Sequence, residues 1–205
     1  MREEVKRVSR IIAGSVGGRR ISMPPGAHTR PTTDRVREAI FSAVAAWAAT
    51  SAAAPQETLA GLGFCDLYAG SGAVGLEASS RGAAPVLLVE HDRRTAQHIR
   101  RSSQDLGLDV TVQVGDVPSL LRRSAPAGFD IVFADPPYEQ ETSVVGAQLA
   151  DLVDHGWVSR TGLVILERSR RSSPPDWPVA VTKTWVRAYG ETTVYFGSVE
   201  RMGRE

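Results

Sequence analysis

Apolar positions follow two different rhythms along the chain. Arg10-Ile-Ile-Ala-Gly14 and Arg19-Arg-Ile-Ser-Met23 flank Ser15-Val-Gly-Gly18, which reads as a β-hairpin with a Gly-Gly turn, ended by Pro24-Pro25-Gly26. Thr32 or Thr33 then caps a helix whose apolar stripe is Val36, Ile40, Phe41 and Val44. Ala48–Leu62 is rich in Ala, Ser and Thr, contains Pro55, and reads as a helix end and a loose linker. From residue 63 the rhythm becomes strand, Gly turn, helix, repeated. Strands are expected at Phe64–Tyr68, Val86–Glu90, Val110–Val114, Phe129–Ala134 and Leu163–Glu167, with helices near Val74–Arg81, Arg93–Leu106, Val117–Arg123 and Thr142–Asp154. Such alternation predicts an α/β fold, a parallel sheet covered on both faces. Val179–Ala188 and Thr192–Glu200 are joined by Tyr189-Gly190-Glu191 with no helix between them, so they predict an antiparallel hairpin at one sheet edge. Three segments are expected: a hairpin and helix extension over 1–47, a linker over 48–62, and the α/β domain over 63–205.

Composition narrows the class. A chain of 205 residues holds one packed domain with at most a small appendage, and 42% hydrophobic with 23% charged residues excludes a disordered or fibrous chain. No uninterrupted apolar run approaches the ~18 residues of a membrane span. The start, Met1-Arg-Glu-Glu-Val-Lys-Arg7, carries no signal-peptide core, and the single Cys65 forms no internal disulfide, so a cytoplasmic protein without a membrane partner is expected. No Cys/His cluster has metal spacing, and His28, His91, His98 and His155 have no partner spacing for nucleophilic catalysis. Trp47, Trp157, Trp177 and Trp185 read as packing or surface residues rather than a base-stacking platform. Charge is uneven: residues 1–37 hold nine bases against three acids, a net +6, whereas the rest nets −5. A basic arm on an acidic body points to a polyanion at one end, with a solvated tail as the plainer reading.

Chemistry concentrates after the first long strand. In Asp66-Leu-Tyr-Ala-Gly70-Ser71-Gly72-Ala-Val-Gly75 the spacing G-x-G-x-x-G lets backbone approach a nucleotide at a helix N-terminus. Glu90 ends the second strand 18 residues after Gly72, the place of an acid that takes ribose hydroxyls. Asp66 sits where a pyrophosphate would lie and would repel it. S-adenosylmethionine lacks phosphate and carries an ammonium and a sulfonium, so an acidic pocket suits it. Asp116 adds an acceptor for an adenine amino group, or serves only as a helix cap. The fourth strand runs into Asp135-Pro136-Pro137-Tyr138. The prolines fix the backbone and remove N–H donors. A carboxylate, the Pro136 carbonyl and a stacking ring then meet at the carboxyl end of the sheet, suited to an exocyclic amine on a base.

Asp66…Gly70-Ser-Gly72 with Asp135-Pro-Pro-Tyr138 resembles the class I S-adenosylmethionine-dependent amino-methyltransferases. Arg30-Pro-Thr-Thr-Asp-Arg-Val-Arg37 and Arg10-Ile-Ile-Ala-Gly14 resemble the RsmD family, and the likeness runs from about Arg10 to Phe196. The family implies a Rossmann-like, mixed seven-stranded sheet. It implies methylation of N2 of one guanine in 16S rRNA, within the small ribosomal subunit or an assembly intermediate of it. It also implies cofactor contacts from Asp66, Gly70, Ser71, Gly72, Glu90 and Asp116, and a target base facing Asp135 to Tyr138. The Ala-rich stretch Ala43–Leu62 departs from the family pattern in being longer and less ordered in character. With the resemblance, Arg30 and Thr32 join the expected cofactor lid, and Arg10, Arg19, Arg20 and Arg35 the expected RNA contacts of a monomer. An ionised, acceptor-only Asp135 would meet both N1–H and N2–H of guanine. Three alternatives remain: an adenine-N6 methyltransferase on DNA or RNA, an NAD-dependent oxidoreductase, and a non-catalytic RNA-binding factor.

Overall fold

Short apolar strands and capped helices assemble into one seven-stranded sheet in the protein, a computed structural model describing residues 9–22 and 32–200. The elements are β1 (Ser9–Arg10), β2 (Arg20–Ile21), α1 (Asp34–Trp47), β3 (Phe64–Leu67), α2 (Ala73–Ser80), β4 (Val86–Glu90), α3 (Arg93–Leu106), β5 (Thr111–Val114), α4 (Val117–Leu121), β6 (Phe129–Ala134), α5 (Thr142–Asp154), β7 (Val158–Ser169), β8 (Val181–Tyr189) and β9 (Thr192–Val199). The sheet order is β5-β4-β3-β6-β7-β9-β8. The first five strands run parallel, and β9 pairs antiparallel with both β7 and β8. The expected hairpin therefore inserts its second strand against β7 and leaves β8 as the edge. Strand order reverses direction between β3 and β6, the switch point where open α/β sheets bind ligands.

Helix starts follow their caps. Thr33 rather than Thr32 caps α1, its Oγ1 accepting the Val36 amide at 3.3 Å, and Asp92 caps α3 through the Thr95 amide at 2.7 Å. At the far end of α3, Gly107 takes the left-handed conformation, φ 69°, that ends helices. β7 is far longer than the sequence suggests. Its early residues Val158–Gly162 carry too few apolar side chains to read as strand, and pairing to β6 decides the matter.

Two apolar layers cover the sheet. On one face α1, α2 and α3 pack Val36, Ile40, Phe41, Val44, Val74 and Ile99 against Phe64, Leu88, Phe133, Ile165 and Phe196. On the other, α4 and α5 pack Leu120, Leu121, Val145 and Leu149 against Leu67, Val89, Val132 and Leu166. Helix α1 thus belongs to the main core. The stretch expected to be a loose linker is folded: Pro55–Glu57 forms a 3₁₀ turn, Leu59 is buried, and the Thr50 hydroxyl donates to the Thr58 carbonyl at 2.8 Å. Low periodicity concealed this because one side chain and local hydrogen bonds do the anchoring.

The N-terminal hairpin is short and pressed onto α2. Gly14, at φ 93°, lies so close to Ser80 that a Cβ would fall 2.0 Å from its carbonyl oxygen. That proximity explains the glycine of Arg10-Ile-Ile-Ala-Gly14, and the Ser15 amide donates to the same carbonyl at 2.7 Å. Ile11 and Ile21 form a small third cluster with Ala73, Leu76 and Leu106.

Candidate active site

Strand periodicity places four acids on one face of the sheet. Alternation along each strand puts Asp66 on the face of Phe64, Glu90 on that of Leu88, Asp135 on that of Phe133 and Glu167 on that of Ile165. The registers Asp66↔Phe133 and Ala134↔Leu166 make Asp135 and Glu167 neighbours, one row beyond Asp66. The carboxyl ends of β4, β3, β6 and β7 therefore carry a row of carboxyl groups where the apolar layer stops.

Each acid has its own surroundings. Glu90 is buried; its Oε2 accepts the Gly70 amide and its Oε1 the Asp92 amide, both at 2.8 Å, which fixes the carboxylate under the glycine loop. Asp66 is buried and accepts the Gly75 amide at 2.8 Å. Burial raises its pKa to about 7, with nearby Glu90 adding to the rise against the Gly75 hydrogen bond. Asp135 keeps partial solvent contact at the rim. Burial among the surrounding groups, then Glu167 and Asp66, push its carboxyl well above the usual range, and Arg168 opposes them only in part. Glu167 is buried and raised to about 6 by desolvation, relieved by the Thr32 hydroxyl, which donates to Oε2 at 2.8 Å.

The glycines divide their work. A Cβ on Gly70 would meet no atom nearer than 3.9 Å, so the space above it is open to a ligand. Gly72 and Gly75 answer to packing instead: a Cβ would lie 2.8 Å from Ile99 Cγ2 at the first and 2.6 Å from Leu88 Cγ at the second. Tyr68, between Asp66 and Gly70, has φ 62°, a left-handed conformation uncommon for its type. Its hydroxyl donates to Gln148 Oε1 at 2.8 Å. Strained backbone of this kind is concentrated at binding sites.

Other expected site residues distribute as follows. Ser71 is half-buried in the loop, Pro136 is buried, Pro137 exposed, and Tyr138 presents 48% of its surface. Asp116 caps α4, accepting the Ser119 amide at 3.0 Å, and the Ser119 hydroxyl and amide hold its carboxyl below the usual range; it remains exposed near the site. Thr32 turns to Glu167. Arg30 lies outside the described residues. Of the expected RNA contacts, Arg20 and Arg35 are exposed. Arg10 pairs with Asp34 at 3.4 Å, and Arg19 donates to the Leu106 and Asp105 carbonyls, capping the end of α3.

Sequence reasoning missed two groups. Glu167 and Arg168 lie inside an apolar strand without a motif; Arg168 donates to the Gln140 carbonyl at 2.6 Å and so holds the loop after Tyr138. Arg37, counted among the bases of the arm, is fully buried. Its guanidinium donates to the Arg10 carbonyl, to Ser9 Oγ at 3.3 Å and to Asp34 at 3.1 Å, and its Nε lies 3.7 Å from Glu77. Glu77 also accepts the Ile12 and Ala13 amides and Arg81 Nε at 2.8 Å. The only sequence signal was the Arg30–Arg37 motif itself, which gave no hint that its last arginine faces inward.

Known proteins are similar to this chain in sequence and in fold. The sequence pattern of the family described as "Conserved hypothetical protein 95" matches residues 9–198. The chain is 34% identical over 171 residues to ribosomal RNA small subunit methyltransferase D of Escherichia coli K12, covering 82% of this chain and 79% of that protein. The solved structure of Escherichia coli yhhF superposes with a TM-score of 0.79 at 30% identity, covering 94% of this chain and 98% of that one. At 14% identity the fold alone is shared with the magnesium protoporphyrin IX methyltransferase of Synechocystis solved with S-adenosylmethionine bound, TM-score 0.58, over 85% of this chain and 88% of that one. A match to all but the ends of the chain, joined to an acid row and an open glycine loop at the switch point, means that the chain belongs to the Conserved hypothetical protein 95 family, the RsmD family of methyltransferases.

Proposed function

We propose that the protein methylates the exocyclic N2 of one guanine in 16S rRNA, using S-adenosylmethionine, as a cytoplasmic monomer acting on the small ribosomal subunit or its assembly intermediate. The observation that carries this reading is the acid row beside the open face of Gly70. Burial raises the carboxyls of Asp66, to about 7, and of Asp135, so the site carries an unmet demand for positive charge. A dinucleotide would bring phosphates against Asp66; an ammonium and a sulfonium meet the demand.

The residues divide the work. Glu90, oriented by the Gly70 and Asp92 amides, retains lone pairs for ribose hydroxyls. Asp66 and the carboxyl end of β3 would meet the cationic end of the cofactor, and Asp116 would meet its base. Bound there, the cofactor would supply a methyl group on a positively charged sulfur, and the guanine nitrogen that takes it would have one proton to shed. Asp135 and the Pro136 carbonyl orient the amine, Tyr138 stacks on the ring, and the surplus proton leaves to Asp135 or to water. RNA beyond the target base meets the exposed Arg20 and Arg35.

The test is methyl transfer from labelled S-adenosylmethionine to small subunits lacking this modification, followed by nucleoside analysis. N2-methylguanosine is the expected product. N6-methyladenosine in its place would move the assignment to the adenine alternative.

A further inference from the structure

Strand pairing carries two rows from the acid site to the edge of the sheet. Val194 of β9 pairs with Glu167 on one side and with Arg187 of β8 on the other, and Thr192 pairs in the same way with Ser169 and Tyr189. Val194 and Phe196 belong to the apolar layer under α1, and Trp185 and Tyr189 pack against it. Alternation along β8 therefore puts Lys183, Trp185, Arg187 and Tyr189 on the face that carries Glu167. Arg187 stands two strand spacings, about 10 Å, from Glu167 in the plane of the sheet. Beside the site opens a cleft lined by Tyr138, Ser169, Arg171, Glu191 and Thr192. The turn after β7 brings Arg170 and Arg171 there, both exposed.

We infer that the C-terminal hairpin is a second RNA surface: the strand flanking the target base leaves the site through this cleft and crosses β9 and β8, its phosphates meeting Arg171, Arg187 and Lys183. This rests on the function proposed above. Edge strands use charge of either sign to block unwanted pairing. Both charges of β8 are positive, although the residues after 37 net −5. Among the described residues, Lys183, Arg170 and Arg187 enter no ion pair. Arg187 donates to the Val186 carbonyl at 3.0 Å and remains exposed. These are solvated cations beside a site lined with acids, and phosphates next to the target base are repelled by that acid row and drawn to this edge. The ring of Trp185 lies 1° from parallel to that of Phe196 with centroids 5.0 Å apart. Half-buried Trp185 and Tyr189 thus give the sugar and base a rigid apolar floor between the cations. Glu191 is the acid of the cleft; its Oε2 lies 3.9 Å from Arg171 and competes with a phosphate for it. The N-terminal hairpin packs with α2 and α3, on the half of the sheet away from β8, so the two surfaces grip RNA from opposite sides of the base.

The test is equilibrium binding of the fluorescently labelled full chain to small subunits lacking the modification, repeated from about 50 to about 200 mM salt. Arg171→Ala and Arg187→Ala should each weaken binding several-fold and lower the slope of log affinity against log salt by about 0.7, the share of one phosphate on a single strand. The two together should cost about tenfold or more. Arg187→Lys should recover most of the loss, which a packing role for the guanidinium would not produce. Glu191→Gln should bind more tightly than the wild type, because it releases Arg171. In methyl transfer the loss should fall on KM for the subunit rather than on kcat. Both arginines are exposed, and unchanged thermal midpoints check that the variants fold. Wild-type affinity and salt slope in the double variant overturn the inference and leave the enzymatic reading intact. A loss that vanishes when protein-free 16S rRNA replaces the subunit also overturns it, since the surface then belongs to a ribosomal protein. A wild type that binds the subunit but transfers no methyl group overturns the enzymatic reading, and the surface assigned on it falls too.

Discussion

Two clusters of buried charge sit on either side of helix α2, and they are built on opposite rules. At its carboxyl end, Glu77 is shared by Arg37 and Arg81, whose guanidinium also lies 4.8 Å from the centre of the Phe41 ring. Every acid there has a base, and the two backbone amides of Ile12 and Ala13 complete the shell. At the amino end, Asp66, Glu90, Asp135 and Glu167 gather, and among the described residues His91, its Nδ1 3.0 Å from Glu90, and Arg168 are the basic groups that oppose them. Burial is similar in the two places. Charge balance is what separates them, and it separates their purposes: the balanced cluster welds the N-terminal hairpin and α1 to the sheet, whereas the unbalanced one is a site that its ligand completes.

The largest effects should come from breaking each cluster in its own manner. Asp135→Ala should lower methyl transfer by ~10²–10⁴-fold, the range for a residue that handles a proton in the transition state, while the thermal midpoint stays within a few degrees of wild type. An active Asp135→Ala enzyme would remove this residue from the mechanism. Glu77→Ala should do the reverse, costing about 3–5 kcal/mol of stability because two buried guanidinium groups lose their partner. Denaturant unfolding measures it, and the residual folded fraction should still bind cofactor.

Glu90→Ala sharpens the comparison from inside the acid row. Cofactor affinity should fall by about 1.5–3 kcal/mol, the scale of a hydrogen bond to a charged group, with the fold retained. Calorimetry that finds unchanged affinity removes Glu90 from the ribose.

A pH series separates the clusters by sign. The pKa of Asp66 is raised from 3.8 to about 7 and that of Glu167 from 4.5 to about 6. In these windows the folded chain binds more protons than the unfolded one, so their contribution to stability is greatest at low pH and declines as pH rises toward the folded-state values. Asp66→Asn should flatten that decline in thermal melts, and stabilisation by added S-adenosylmethionine should grow over the same range. A steeper fall with pH in Asp66→Asn contradicts the assignment. The smallest effect belongs to the surface of the arm. Arg20→Ala should weaken RNA binding nearly uniformly and reduce the salt slope by about 1, without a change in thermal midpoint. Arg37→Ala should lower the midpoint instead, although the two arginines are indistinguishable in a count of charge.

Much of this molecule follows from order along the chain. Alternating apolar strands and capped helices dictate the parallel sheet, because side-chain period is set by local backbone geometry. Asp66, the glycine loop, Glu90 and Asp135-Pro-Pro-Tyr138 stand out because strand ends and turns restrict which residues can occupy them. What only the tertiary structure decided depends on neighbours distant in sequence. Whether Arg37 faces water or Glu77 is settled by a partner 40 residues away. Whether Gly70 or Gly72 leaves room for a ligand depends on Ile99 and Leu88. How far the Asp135 carboxyl is pushed up depends on its desolvation and on Glu167, brought near it by strand register. Periodicity decides the face on which a residue lies; charge state and contact arise between strands and helices, and long-range pairing sets them.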